Sequence, residues 1–577
     1  MKNEWSVLIG VCVVVVGVYA RVAHSGGLEM RLPDASDTHY NLLVQGFRAG
    51  QLNLKKSVPP GLAQLTDPYD PAANARFRTG SDRLHDVSYY KGKLYLYYGV
   101  TPVLLLLWPF AALTGHYLYS GQATAFFCAL GFLAGAGVLH ALWRRYFPEV
   151  SVWVVAAAVL ALGLATGVPV MLPRSGVYEV AVSCGCMLMM LSLGAIWCAL
   201  HETRRRSWWL AAASVAYGLA VGARPSLLFG AIILLVPVVQ ARYERRPVGA
   251  LLVAAIGPLT VIGLGLMLYN AMRFDSPFEF GVRYQLAGTS FPQFFSVRFL
   301  WFNFRYYFLE PVHWKSSFPF MGGITVPPLP VGRAVEDTFG VLTNVPVVLL
   351  ALALPLAWRG RPPEARTALR VFLAAVALFF GIYALTVSLF VFACIRYEVE
   401  FLLPLVLLAA VGILGLERAL APTSESGLAD RPAWRRAARL GWGLLLGFSV
   451  AFNLLASVVR CAAAYNNMGI TAYQAGQREE AVEHYQRALW INPDYAEAHV
   501  NLGAIFLQEG KVGDAIGQYE QALRIKPDFA EAHYNLGAAL MVLGKVPEAA
   551  EHFEQALRIK PDYVPARNAL ARLHAGQ

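Results

Sequence analysis

Charge is scarce in this chain. Asp, Glu, Lys and Arg make up 15% of its 577 residues, against about 25% in a typical soluble domain. Residues that would hold a metal or close a disulfide framework are equally thin. The seven cysteines (Cys12, Cys128, Cys184, Cys186, Cys198, Cys394 and Cys461) all lie within or at the ends of apolar blocks. That placement suits small buried hydrophobes and excludes a disulfide scaffold. Cys184 and Cys186 have no second pair and no histidine close by in sequence, so the expectation is packing, with no metal ligands. No phosphate-cradling glycine loop and no Ser–His–Asp grouping supported by spacing is present.

What the chain has in abundance is apolar sequence, 57% of all residues. It is concentrated in blocks of roughly 20 residues, the length that crosses a bilayer, and all lie before residue 460. The first, Trp5 to Val22, is followed by no small-residue cleavage site and reads as an anchor. The sequence predicts an all-α protein with about 11 spans: 5–22, 122–142, 152–171, 177–199, 208–222, 226–240, 248–269, 340–357, 370–392, 398–416 and 440–459.

The net charge of +11 is unevenly placed. From residue 462 onward 10 basic residues face 14 acidic ones, leaving 38 against 23 in the membrane part. The surplus clusters in short loops, at Arg144-Arg145, Arg204 to Arg206, Arg242 to Arg246, Arg359 to Arg370 and Arg431 to Arg439. Such loops orient a protein in its bilayer, so nucleic acid is not an expected partner and membrane lipid is. All five fall on the side of Lys2 if Val100 to Leu113, short and carrying Pro102 and Pro109, re-enters without crossing. A cytoplasmic N-terminus then puts two large loops, 23–121 and 270–339, and the tail on the outer, periplasmic side of a bacterial-type inner membrane.

The tail repeats itself every 34 residues. Gly469, Gly503 and Gly537 keep this spacing, as do Ala481, Ala515 and Ala549, then Tyr485, Tyr519 and Phe553, then Pro493, Pro527 and Pro561. The pattern resembles tetratricopeptide repeats, each a pair of antiparallel helices. Three units are expected at 462–495, 496–529 and 530–563, with a closing helix at 564–573 covering the last apolar face. Stacked units form a groove that takes a protein or peptide. The plain alternative is a spacer with no ligand.

The first outer loop holds Asp34, Asp37, Thr38, His39 and Tyr40, followed by an amphipathic helix pattern to Ala49. A carboxylate beside the first span is placed to act as general base on an acceptor hydroxyl; an aspartate there also suits a helix cap. Here residues 1–460 resemble the GT-C superfamily of membrane glycosyltransferases, which includes protein O-mannosyltransferases and aminoarabinose transferases. Asp37-Thr38-His39-Tyr40 is similar to the acidic motif of the first outer loop in those enzymes, with Thr38 where many carry a second acid. Gly222 to Pro225, Tyr269-Asn270 through Pro277 to Gly281, and Arg396-Tyr397 before Pro404 add to the likeness.

The resemblance implies transfer of a sugar from a polyprenyl-phosphate donor to a protein, lipid or glycan acceptor. The carrier phosphate is the leaving group, no cofactor is required, and a role for a divalent metal stays open. Asp37 is the implied base, with Asp34 as its alternate. Glu179 is a second active-site acid or the partner of an arginine. Arg174, Arg224 and Arg396 lie at the ends of apolar blocks, where a cation is costly unless paired or used. They are candidates for the donor phosphate, with Tyr40, Tyr178 and Tyr397 beside them; snorkelling to the interface is the alternative. Two rival readings are a non-enzymatic membrane scaffold presenting repeats to envelope or secretion proteins, and a polymerase or ligase of surface polysaccharide.

Overall fold

The computed structural model describes all residues except 1, 27–34, 80–83, 85, 287–293, 317, 323–333, 337, 422–431 and 576–577. Its contacts divide the chain into two units, Met1–His313 with Gly322–Ser457, and Trp314–Met321 with Val458–Gln577.

The first unit is built from apolar helices. Nine helices among the described residues are long and apolar enough to cross a membrane: Glu4–Ser25, Ser120–Tyr146, Val152–Arg174, Val177–His201, Pro225–Tyr243, Gly249–Phe274, Pro363–Ser388, Ile395–Ala419 and Ala433–Gln474. The chain is a multi-pass helical protein by this measure. The other two expected spans are also helical but shorter. Arg206–Ala223 has 18 residues, and Pro346–Trp358 begins as a 3-10 turn led by Pro346. The proline-bearing run after Val100 forms a helix over Val103–Thr114, about 18 Å at 1.5 Å per residue and well short of a bilayer core of about 30 Å.

Sequence places these helices by depth. Ile395–Ala419 is 94% buried in its most apolar stretch and sits at the centre, while Gly249–Phe274 is 11% buried and turns Val253, Val261, Leu264 and Leu268 outward. Close approach sets the central contact. A Cβ at Gly412 would lie 1.9 Å from the Leu350 carbonyl oxygen, so only glycine admits the segment Pro346–Ala353 against this helix.

The second unit is a stack of helix pairs. The end of Pro432–Gln474 packs with Arg478–Ile491 through Gly469, Ala472 and Tyr485. Ala496–Gln508 packs with Val512–Ile525, and Ala530–Val542 with Val546–Ile559, and Val564–Ala575 closes the array. The period is physical at each level. The aromatic rings of Tyr485, Tyr519 and Phe553 lie where a Cβ on Gly469, Gly503 or Gly537 would stand, at 2.5–2.7 Å. Gly476, Gly510 and Gly544 end the first helix of each pair at φ of +79°, +75° and +74°, a left-handed cap that glycine adopts without strain. This second glycine series keeps the same spacing of 34.

Histidines line the third pair. His533 Nδ1 lies 3.1 Å from His552 Nδ1. Burial, with His533 beside it, holds the His552 imidazole below its ordinary 6.5, although Glu551, Glu548 and Glu520 oppose the shift. The unfolded chain therefore binds more protons than the folded repeat as pH falls below 6.5, so this contribution to stability is present above 6.5 and lost below it. Hydrogen exchange in residues 530–559, corrected for intrinsic rates, will show the repeat opening more readily on the acid side of 6.5. His552→Gln, which installs the residue found at the equivalent Gln518, will flatten that dependence.

Candidate functional site

Three buried or half-buried arginines mark the polar centre of the first unit. Arg396, second residue of the helix Ile395–Ala419, donates from Nη2 to Glu336 Oε2 at 2.9 Å and lies 3.5 Å from Glu179 Oε1. Its guanidinium stands 4.3 Å from the centroid of the Tyr178 ring. Its Nε is buried and has no hydrogen-bond partner among the described residues. Glu336 also pairs through its other oxygen with Arg174, so one carboxylate bridges two arginines. Glu336 reaches this place because Ala334–Glu336 pairs in parallel with Phe392–Cys394, in a register that sets Glu336 opposite Cys394.

Glu179 has two tasks. Its Oε2 accepts the Gly176 N–H at 2.8 Å and so caps the helix Val177–His201, while its Oε1 faces Arg396. Glu179 thus contacts an arginine, one of the two roles expected of it. A carboxylate and a helix N-terminus favour one another, which holds Glu179 where it faces Arg396.

Arg224 leads a second pair. Its Nε and Nη2 donate to Glu400 Oε1 and Oε2 at 3.0 and 3.2 Å, a bidentate fork. The Tyr383 hydroxyl also donates to Glu400. The Arg224 guanidinium lies 5.1 Å from the ring centroid of Tyr397. With both Glu400 oxygens engaged and the glutamate side chain 1% exposed, this arginine is committed to an internal partner.

A tyrosine-rich loop covers the cluster. The Tyr97 hydroxyl meets those of Tyr98 and, at 2.9 Å, Tyr178. It accepts from Gln285 Nε2 at 2.6 Å, which also donates to Asp86 at 3.1 Å. Burial pushes the phenols of Tyr97 and Tyr98 well above their ordinary value, so both stay neutral hydroxyls. The loop reaches in through Gly99, where a Cβ would stand 2.2 Å from the Gly222 carbonyl and 2.4 Å from that of Ala223. The buried Tyr40 hydroxyl donates to the Gly99 carbonyl at 3.4 Å.

Asp37 stands apart from these contacts. It ends the turn Ala35–Asp37 and is exposed, and Thr38, not Asp37, occupies the cap position of the helix His39–Arg48. Asn41 Nδ2 donates to the Ala35 and Leu118 carbonyls at 2.8 and 2.7 Å, and Gln45 donates to Ser36 at 2.8 Å. The carboxylate is thus open to solvent on a firmly held turn. Asp34 lies outside the described residues.

The structure therefore brings together Glu179, Arg174, Tyr178 and Arg396, sets Arg224 and Tyr397 alongside, and joins Tyr40 through Gly99. Tyr97 and Tyr98 join it from the tyrosine-rich run Tyr89 to Tyr98, whose residue types suit a sugar or lipid site. Glu336, Glu400, Asp86 and Tyr383 complete the cluster without having been singled out from sequence. Among the described residues no group of three or more His, Cys, Asp or Glu side chains is placed to hold a metal.

Comparison with known proteins bears on the tail. A TPR repeat profile matches residues 469–510 and 503–544, and a tetratricopeptide repeat profile matches residues 530–563. The tail is a tetratricopeptide array. Among solved structures, the TPR domain of Arabidopsis OM64 is 27% identical over 20% of this chain and 98% of its own, with a TM-score of 0.20. The second TPR domain of human RPAP3, in complex with an HSP70 peptide, is 26% identical over 20% of this chain and 94% of its own, with a TM-score of 0.19. A mutant O-GlcNAc transferase of Thermobaculum terrenum is 29% identical over 19% of this chain and 22% of its own, also at 0.19. No curated protein matches the chain.

Proposed function

We propose that the first unit is a membrane glycosyltransferase of the GT-C kind, taking its sugar from a polyprenyl phosphate and working on the outer, periplasmic face. The observation that carries this reading is the meeting of Arg174 and Arg396 around Glu336, at the ends of apolar helices and under the loop of Tyr97 and Tyr98. Arg174 and Arg396 set two guanidinium groups side by side around Glu336, and arginine matches phosphate geometry. Asp37, exposed on its tethered turn, is the base that takes the proton of the acceptor hydroxyl.

Transfer from a labelled polyprenyl-phosphate donor in membranes tests this. Asp37→Asn will lower transfer by about 10²–10⁴-fold, the usual worth of a general base. Arg396→Ala will lower it by roughly 10–100-fold, the worth of a hydrogen bond to a charged group. Normal transfer by both variants at normal expression would remove the mechanism.

The tetratricopeptide array supports a second function in the same chain, recruitment of a protein or peptide, since stacked helix pairs offer an extended groove. If the chain is a scaffold alone, loss of the array will abolish its phenotype and Asp37→Asn will not.

A further inference from the structure

Part of the second large loop is built as if it met lipid. Residues Phe294–Leu309 leave Phe295 50%, Val297 77% and Trp301 69% exposed, while Asn303, Tyr306, Tyr307 and Phe308 point into the unit and are buried. Large apolar side chains are exposed side by side on one face of a segment whose other face is packed. In water such a patch is a liability; at a membrane it is an anchor.

Its depth is fixed by hydrogen bonds to the end of a membrane helix. Asn303 Nδ2 donates to the carbonyls of Ser388 and Phe390 at 3.0 and 2.6 Å. Ser296 N–H donates to Leu389 O at 2.9 Å, Val391 N–H donates to Phe294 O at 2.8 Å, and Phe295 bridges Phe390. The Phe294 and Phe295 rings lie 6.2 and 5.2 Å from that of Phe390. All of these partners fall in residues 388–391, where the helix Pro363–Ser388 ends. That helix has 26 residues, about 39 Å at 1.5 Å per residue, against roughly 30 Å for the hydrocarbon core and 40–45 Å with the headgroup layers. Counted from Arg370, the last charged residue of that helix, a core of about 30 Å takes about 20 residues and ends near residue 390, which puts the tethered segment at the outer boundary. The same helix exposes Leu378 42% and Leu385 52% on its outward side.

We propose that Phe294–Leu309 is an interfacial anchor, with Phe295, Val297 and Trp301 bedded at the headgroup boundary of the lipid bilayer. Arg298, exposed between them, meets the lipid phosphates. Residues 294–309 are thereby held at the membrane surface. This assignment does not depend on the chain being a transferase.

The test uses full-length protein in phosphatidylcholine–phosphatidylglycerol vesicles, with the part-exposed Cys12 and Cys198 replaced by serine. Val297→Cys and Trp301→Cys carry an environment-sensitive fluorophore, and Glu554→Cys in the tetratricopeptide array is the water reference. The labels at 297 and 301 will emit to the blue of the reference, and lipids bearing a nitroxide near the headgroup will quench them at least twofold more strongly. Water-like emission at both sites from well-folded protein overturns the proposal. So does a blue shift without lipid quenching, which would mean that another protein covers the patch.

Discussion

Removing the Glu400 carboxylate by Glu400→Ala will destabilise the membrane unit by about 3–5 kcal/mol, the usual penalty for stranding a buried ion-pair partner. The reason is what is left behind. Arg224 keeps its charge, its side chain is 12% exposed, and its bidentate acceptor is gone. The Tyr383 hydroxyl loses its acceptor at the same time. Unfolding in detergent, followed by denaturant or by heat, reads the loss. Removing both charges together should behave differently, because a buried pair replaced by apolar groups of similar volume is often neutral or better. Arg224→Met with Glu400→Leu will recover most of the stability. A single variant as stable as the parent would mean that water reaches Arg224 and that the pair is not a buried unit.

Phe553→Ala will open the last repeat, at about 3–5 kcal/mol for loss of a buried aromatic side chain. Phe553 is 2% exposed and fills the space left by Gly537, among Ala549, Ala556 and Ala566. Those neighbours are too small to collapse into the void. Because each repeat meets only its neighbours, the damage will be local. Hydrogen exchange will rise across residues 530–575 and change little in the membrane helices. Uniform destabilisation of the whole chain would contradict a quasi-independent stack.

The parts of this molecule readable from sequence are those whose signal is local. Apolar blocks announce the membrane helices, and the repeat is visible because Gly503 and Tyr519 recur with their counterparts every 34 residues. Length judged by apolar content alone is less reliable. The segment at 340–357 contains Pro346, whose missing N–H favours a 3-10 start, and its helix is broken there into the short turn Val341–Asn344 and the run Pro346 to Trp358.

At the site, the arginines could be found because a cation at the end of an apolar block is costly. Their partners could not. Glu336 lies 162 residues from Arg174 and 60 from Arg396, and Glu400 lies 176 from Arg224. Nothing in a stretch such as Arg396 to Phe401 tells which of its two glutamates, Glu398 or Glu400, will meet a distant arginine. Gln285, which joins Tyr97 to Asp86, gives no local signal at all. Such pairings belong to the fold, and only a structure supplies them.

Glu336 has a consequence for any anion that approaches Arg174 and Arg396. It is a ligand already in place, tethered by the strand pairing of residues 334–336 with 392–394, and it occupies both guanidinium groups at once. An incoming phosphate therefore competes with part of the chain. Its observed affinity is its own hold on the two guanidinium groups less the cost of first parting them from the carboxylate. If the proposed donor phosphate binds these arginines, Glu336 would be its internal competitor, held in place by the short pairing of residues 334–336 with 392–394.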